Sequence, residues 1–155
     1  MISRAVIVSP SRIPSLVRRL RTQGLKIVFT NGCFDLLHEG HIRIFRFAKS
    51  KGDILIVGVN SDHSVSGLKG SARPIVPLKS RLEVLSALRH VDYLVPFSDS
   101  TPLRLIRAVR PDVLVKGADW KKSAVVGASF AGRVALCPTV AGFSTTKIIQ
   151  KIKKI

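Results

Sequence analysis

Five short apolar runs punctuate the chain: KIVFT (26–30), DILIVGVN (53–60), DYLVPF (92–97), DVLVK (112–116) and RVALCP (133–138). They are rich in Val, Ile and Leu and largely lack the alternation of a strand with one wet face. That is the pattern of strands buried on both faces of a parallel sheet. Amphipathic stretches separate them. IPSLVRRLRTQ precedes the first run. HIRIFRFAKSKG carries Ile42, Phe45 and Phe47 toward one side and ends at Gly52. KSRLEVLSALRHV sets Leu82, Leu85 and Leu88 three residues apart. TPLRLIRAVRP offers Thr101 as a cap with Pro102 at the first helical position, and STTKIIQKIKKI closes the chain as a hydroxyl-capped amphipathic helix. Strands alternating with helices of this length predict an α/β fold: a doubly wound parallel sheet of about five strands with helices on both faces. In such a fold ligands bind at the carboxyl ends of the strands.

At 155 residues the chain suits one domain, 1–155. No apolar run approaches the ~20 residues of a membrane span, and the prolines and arginines of the first twenty residues do not follow the order of a signal peptide. The expectation is a mature cytoplasmic protein. Cys33 and Cys137 are then expected as buried free thiols rather than a disulfide. The net charge of +17 should attract polyanions such as nucleotides or sugar phosphates. Because the basic residues are spread along the chain rather than gathered in a block, a generally basic surface is favoured over a nucleic-acid groove.

The chemistry concentrates in TNGCFDLLHEGHIRIF, Thr30 to Phe45, which leaves the carboxyl end of the first run. His38 and His41 are three apart and share a face in a helical first turn. Gly40 between them would let a bulky group approach the backbone. Three readings compete. A zinc site of the H-E-x-x-H kind needs histidines four apart and a third ligand. The pair could simply open a helix. Or it grips phosphate, helped by the free N–H groups and positive dipole end of a helix N-terminus.

The longer string GCFDLLHEGH resembles the signature of the H-x-G-H nucleotidyltransferase superfamily. More narrowly, the chain resembles the heptose 1-phosphate adenylyltransferase family. The likeness runs from about Lys26 to the end through FTNGCFDLLHEGH, GDILIVGVNSDHSV, LKGSARPI, VDYLVPF, TPLRLI, RPDVLVKGADW and GFSTTKII. The first 25 residues lie outside it. The resemblance implies a Rossmann-like sheet and transfer of AMP from ATP to D-glycero-D-manno-heptose 1-phosphate, giving ADP-heptose and pyrophosphate for lipopolysaccharide core synthesis. The alternatives are another adenylyl- or cytidylyltransferase acting on a polyol or sugar phosphate, and a basic nucleic-acid-binding module.

By that resemblance His38, His41 and Lys69 are the catalytic residues, with Lys69 a mobile-loop cation that closes over the phosphates. Thr30, Asn31, Gly32, Cys33, Phe34, Lys116, Asp119, Ser144, Thr145 and Thr146 would bind the nucleotide. Asp35 and Arg81 are assigned to the substrate side, Asp35 ordering the turn through hydrogen bonds and Arg81 reaching either substrate or solvent. Mg²⁺ is expected with ATP, without a side-chain ligand set assigned to it. Exposed apolar residues on the terminal helices would allow the homodimer usual in the family. The length leaves room for the transferase alone, so the sugar kinase fused to some members is expected on a separate polypeptide. The chain departs from the family pattern at KGADW, where KGGDY is common, and at SFAGR, where an acidic residue is common. It lacks the arginine that cytidylyltransferases carry before the final STT, which argues against that branch.

Overall fold

The computed structural model describes residues 4–119, 121, 124–138 and 144–155. In chain order the elements are β1 (Val6–Ile7), α1 (Ile13–Thr22), β2 (Ile27–Gly32), α2 (Glu39–Lys49), β3 (Ile54–Asn60) and α3 (Asp62–Lys69). They continue with α4 (Leu78–Ser86), β4 (Tyr93–Phe97), α5 (Leu103–Val109), β5 (Val113–Gly117), β6 (Arg133–Cys137) and α6 (Thr145–Ile152). The strands form one sheet in the order β1-β4-β3-β2-β5-β6, every pair parallel. The chain winds outward from β2 through β3 to β4, then crosses back to β5 and β6. The winding therefore reverses between β2 and β5, and a crevice opens there beyond the strand ends.

The lack of alternation in the strands has a direct cause. In β2, Val28 packs on one side with Phe45, Ala48 and Leu85, while Ile27 and Phe29 pack on the other with Ile13, Leu20 and Ile106. Both faces are covered, so neither needs polar residues. Strand starts are tied together by aspartates: Asp53 accepts from the Lys26 N–H, Asp112 from Ile27 and Asp92 from Leu55, each at 2.7 Å. Asp35 and Asp62 also accept backbone N–H groups. Five of the nine acidic residues thus accept backbone N–H groups, and three of these, Asp35, Asp62 and Asp92, also pair with Arg73, Arg81 and Lys49. Among the described residues no helix is long and apolar enough to cross a membrane.

Several expectations need correcting. The five expected runs are all strands, and a sixth joins them at the edge. Edge strand β1 is two residues long, too short to read as a run. The DHSVSGLK stretch folds as α3, capped by the Ser61 hydroxyl on the Ser64 N–H, so Lys69 ends a helix instead of riding a loop. Pro102, not Thr101, occupies the cap position of α5, without a side-chain cap bond. Ile42 is exposed; Ile44, Phe45 and Phe47 form the packed face of α2. On the terminal helices, Ile13, Leu16, Val17 and Leu20 of α1 are buried, while Ile152 of α6 is exposed.

Candidate active site

Two adjoining cavities, of about 540 and 280 Å³, occupy the crevice at the carboxyl ends of β2 and β5. They share His41, Ile44, Lys69, Gly117, Asp119 and Thr145. The larger is walled by the end of β2 and the turn after it. Thr30 Oγ donates to the Val115 carbonyl at 3.0 Å and pins β2 to β5 at the reversal point. Lys116 Nζ donates to Asn31 Oδ1 across the same seam. Phe34 then takes a left-handed conformation, φ 47°, which a bulky side chain adopts only at a cost of order 1–3 kcal/mol. Its ring is held edge-on to His41 at 5.3 Å and tilted against Phe45 at 5.0 Å. Gly32 makes room for that ring, since a Cβ there would sit 3.0 Å from Phe34 Cζ.

His38 and His41 are locked by the first turn of α2. His38 is the cap residue, and its Nδ1 accepts the Gly40 N–H at 3.1 Å. His41 Nδ1 accepts the His38 N–H at 3.4 Å. The rings stack at 3.9 Å. With each Nδ1 occupied as an acceptor, the proton of a neutral imidazole belongs on Nε2. The backbone thereby fixes two Nε2–H donors. Gly40 is needed because the bulky group against its backbone is the His38 ring itself: a Cβ would lie 2.9 Å from His38 Cε1. That gives the H-x-G-H spacing a steric reason. Glu39 turns outward and pairs with Arg43 at 2.8 Å. No third His, Cys, Asp or Glu joins the histidines to make a metal-holding group among the described residues.

Burial lowers both histidines, and His41 falls to about 4, with the neighbouring His38 and Lys69 adding to the shift. Both rings are therefore neutral near pH 7. The sign for stability follows. Between pH 6.5 and 4 the unfolded chain binds a proton that His41 in the folded chain does not. Its contribution is fully present above pH 6.5 and is lost as pH falls toward 4. Melting temperatures recorded from pH 7.5 to 4.5 should drop through that window, and His41→Asn should flatten the drop. An unchanged slope in the variant would remove His41 as its source.

Asp35 is buried and its carboxylate is fully engaged by protein: Arg73 Nε at 2.6 Å, Ile75 N–H at 2.9 Å and Val76 N–H at 2.8 Å. These bonds hold its pKa below the ordinary carboxylate range against the opposing effect of burial, the largest single influence. Asp35 orders the wall rather than presenting a free carboxylate to substrate. Arg81 is a clear correction. It is 2% exposed and reaches neither substrate nor solvent. Its donors go to the Val76 carbonyl at 3.0 Å, the Asn60 carbonyl at 2.8 Å, the Cys33 carbonyl, and Asp62 at 2.7 Å. Its spacing in an amphipathic helix gave no sign of this, because all four acceptors lie on other segments.

Lys69 and Asp119 are exposed at the mouth, where both cavities meet. Burial lowers Lys116 to about 8, partly offset by Asp119. Ser144 caps α6 by accepting the Lys147 N–H at 3.1 Å, and Thr145 Oγ donates to the Leu36 carbonyl. Ser144, Thr145 and Thr146 line the smaller cavity beside His38. Trp120 of KGADW and Gly142–Phe143 of GFSTT lie outside the described residues. Both cysteines are free, Cys137 buried and Cys33 half-buried at the larger cavity. Sequence reasoning missed Arg73, Ser100, Thr101 and Val126 as lining residues. Arg73 stood inside LKGSARPI, but only its distant contact with Asp35 marks it.

The family model for cytidylyltransferase-like proteins matches residues 29–151. The bifunctional protein HldE of Sulfurimonas denitrificans is 52% identical over 141 residues, covering 91% of this chain and 30% of that protein. HldE of Koribacter versatilis is 51% identical over 154 residues, 97% of this chain and 32% of that protein. HldE of Helicobacter pylori strain P12 is 55% identical over 129 residues, 83% of this chain and 28% of that protein. The chain thus spans about a third of the length of the curated relatives it matches. Among solved structures, the lipopolysaccharide core biosynthesis protein of Thermoplasma volcanium superposes with a TM-score of 0.64 at 28% identity, covering 76% of this chain and 99% of that one. Pantoate-beta-alanine ligase of Francisella tularensis superposes at 0.63 with 18% identity, covering 97% of this chain and 78% of that one, a likeness of fold alone.

Proposed function

The chain belongs to the cytidylyltransferase-like family, and from that membership we propose that it transfers AMP from ATP to D-glycero-D-manno-heptose 1-phosphate, forming ADP-heptose and pyrophosphate. The observation that carries the reading is the pair of backbone-fixed Nε2–H donors at the β2–β5 reversal, His38 and His41. An oxygen of the sugar phosphate attacks the α-phosphorus, a P–O bond forms, and the bond to the β-phosphate oxygen breaks with its electron pair leaving on pyrophosphate. The nucleophile is already an anion, so no general base is required. What the site must supply is alignment and stabilisation of charge on the α-phosphate oxygens. Neutral imidazole N–H groups do this without reorganisation. Lys69 adds positive charge at the mouth, and the hydroxyl-rich start of α6 suits the β- and γ-phosphates. Lys116 and Asp119, which line the larger cavity, are assigned to the nucleoside on the strength of the family resemblance.

Among the described residues, Mg²⁺ carried by ATP would find one accessible cavity carboxylate, Asp119, because Asp35 is tied to protein donors. That suits an ion held mainly by phosphates and water. When bound it shields the triphosphate from the attacking anion. The HldE relatives are named bifunctional and this chain matches one part of them, which supports a transferase role; the sugar and the base come from the motif resemblance alone. The kinase activity would then reside on another polypeptide or segment.

Pyrophosphate release over a grid of ATP and CTP against heptose, hexose and polyol phosphates tests the reading. Release is expected with ATP and the heptose 1-phosphate well above the other pairs. A preference for CTP, or for a polyol phosphate, would move the chain to another branch of its family.

A further inference from the structure

Arg73 is held as firmly as any residue of the site, yet its guanidinium is only partly used. Its Nε donates to buried Asp35 at 2.6 Å, and Asp35 is itself fixed by two backbone N–H groups from Ile75 and Val76. Its Nη2 is buried without a hydrogen-bond partner, the only such side-chain atom among the described residues. The charge is paired with Asp35, but a buried guanidinium nitrogen without an acceptor still costs desolvation, and such a group in a native fold calls for an explanation, a functional one among them. Arg73 lines the larger cavity together with Cys33, His41 and Lys69. It does not line the smaller cavity, where Ser144, Thr145 and Thr146 lie. The two lobes meet at His41 and Lys69. A triphosphate whose far end rests on the start of α6 puts its α-phosphate at that junction. A second phosphate, approaching from the opposite side for in-line attack, falls in the lobe that Arg73 walls. A planar guanidinium suits a phosphate's paired oxygens better than an ammonium does.

We propose that Arg73 anchors the phosphate of the acceptor substrate and so aims its attacking oxygen at the α-phosphorus. This rests on the nucleotidyl-transfer reading above. Asp35 is then the residue that orients Arg73. Nη2 is buried, so contact with it requires the stretch from Gly70 to Pro74 to yield around the phosphate.

The test compares wild type with Arg73→Gln and Arg73→Lys. Gln keeps a donor for Asp35 but loses the charge and the fork; Lys keeps the charge alone. Arg73→Gln is expected to raise KM for the accepted sugar phosphate by roughly 20-fold or more, with KM for ATP changed less than about threefold. Arg73→Lys should recover part of the loss. Inorganic phosphate, titrated calorimetrically in the presence of a non-hydrolysable ATP analogue, should bind wild type and bind Arg73→Gln more weakly by a similar factor. A rise in KM for ATP that matches or exceeds the acceptor's would overturn the assignment. So would a lowered melting temperature with both KM values unchanged. If wild type turns over no sugar phosphate at all, the reaction reading fails, and the phosphate titration still decides whether Arg73 is an anion anchor.

Discussion

Replacing His41 with alanine should lower kcat by about 10² to 10³, the ~3–4 kcal/mol that one preorganised donor to a developing oxyanion is worth. The loss should fall on kcat more than on KM for ATP, because the Nε2–H donor matters most when the α-phosphate is crowded and most charged. The fold should survive. His41 also accepts the His38 N–H at 3.4 Å, so the variant gives up a reciprocal cap worth about 1 kcal/mol. Circular dichroism and a thermal melt separate the two effects. Turnover at the wild-type rate would remove the phosphate-stabilising role from His41.

Arg81→Met should act the other way, on stability before chemistry. Arg81 ties together four places: the turn at Cys33, the end of β3 at Asn60, the start of α3 at Asp62, and Val76. Its side chain is wholly covered, while that of Asp62 is 48% exposed. Removing the guanidinium leaves three carbonyls short of a donor, a loss of about 3–5 kcal/mol by analogy with breaking a buried ion pair. For a chain of this size that is a fall in melting temperature of roughly 10 °C. Arg81→Lys should recover little, since one ammonium cannot span a fork of acceptors on separate segments. A lysine variant that melts like wild type would show that the knot is not what clamps the wall.

These two residues also mark how far the sequence could be read. The central strands were legible because burial on both faces writes itself as unbroken Val, Ile and Leu. The His pair was legible because its spacing and its place after β2 are local facts. Ser144 was legible as a cap for the same reason. What failed was of two kinds. Edge strand β1 and helix α3 bury little (Val65 is the one apolar core residue of α3), so they leave almost no hydrophobic period. Arg81 takes its meaning mainly from partners 19 to 48 positions away, and Arg73 from Asp35, 38 positions away. An arginine on an amphipathic stretch looks solvated until the fold brings its acceptors to it. Asp35 lies between these cases: its ordering role was implied by the family resemblance, but its partners, Arg73, Ile75 and Val76, could not be read.

If the crevice between β2 and β5 joins a nucleotide to a sugar phosphate through the α-phosphate, phosphorus NMR of the protein with MgATP and D-glycero-D-manno-heptose 1-phosphate will show the transfer. The sugar monophosphate signal and the ATP signals should decline together, while a pair of coupled diphosphate-ester resonances and pyrophosphate grow in equal amounts. Growth of ADP with inorganic phosphate or a newly phosphorylated sugar, or unchanged spectra from a protein that binds ATP, would contradict it.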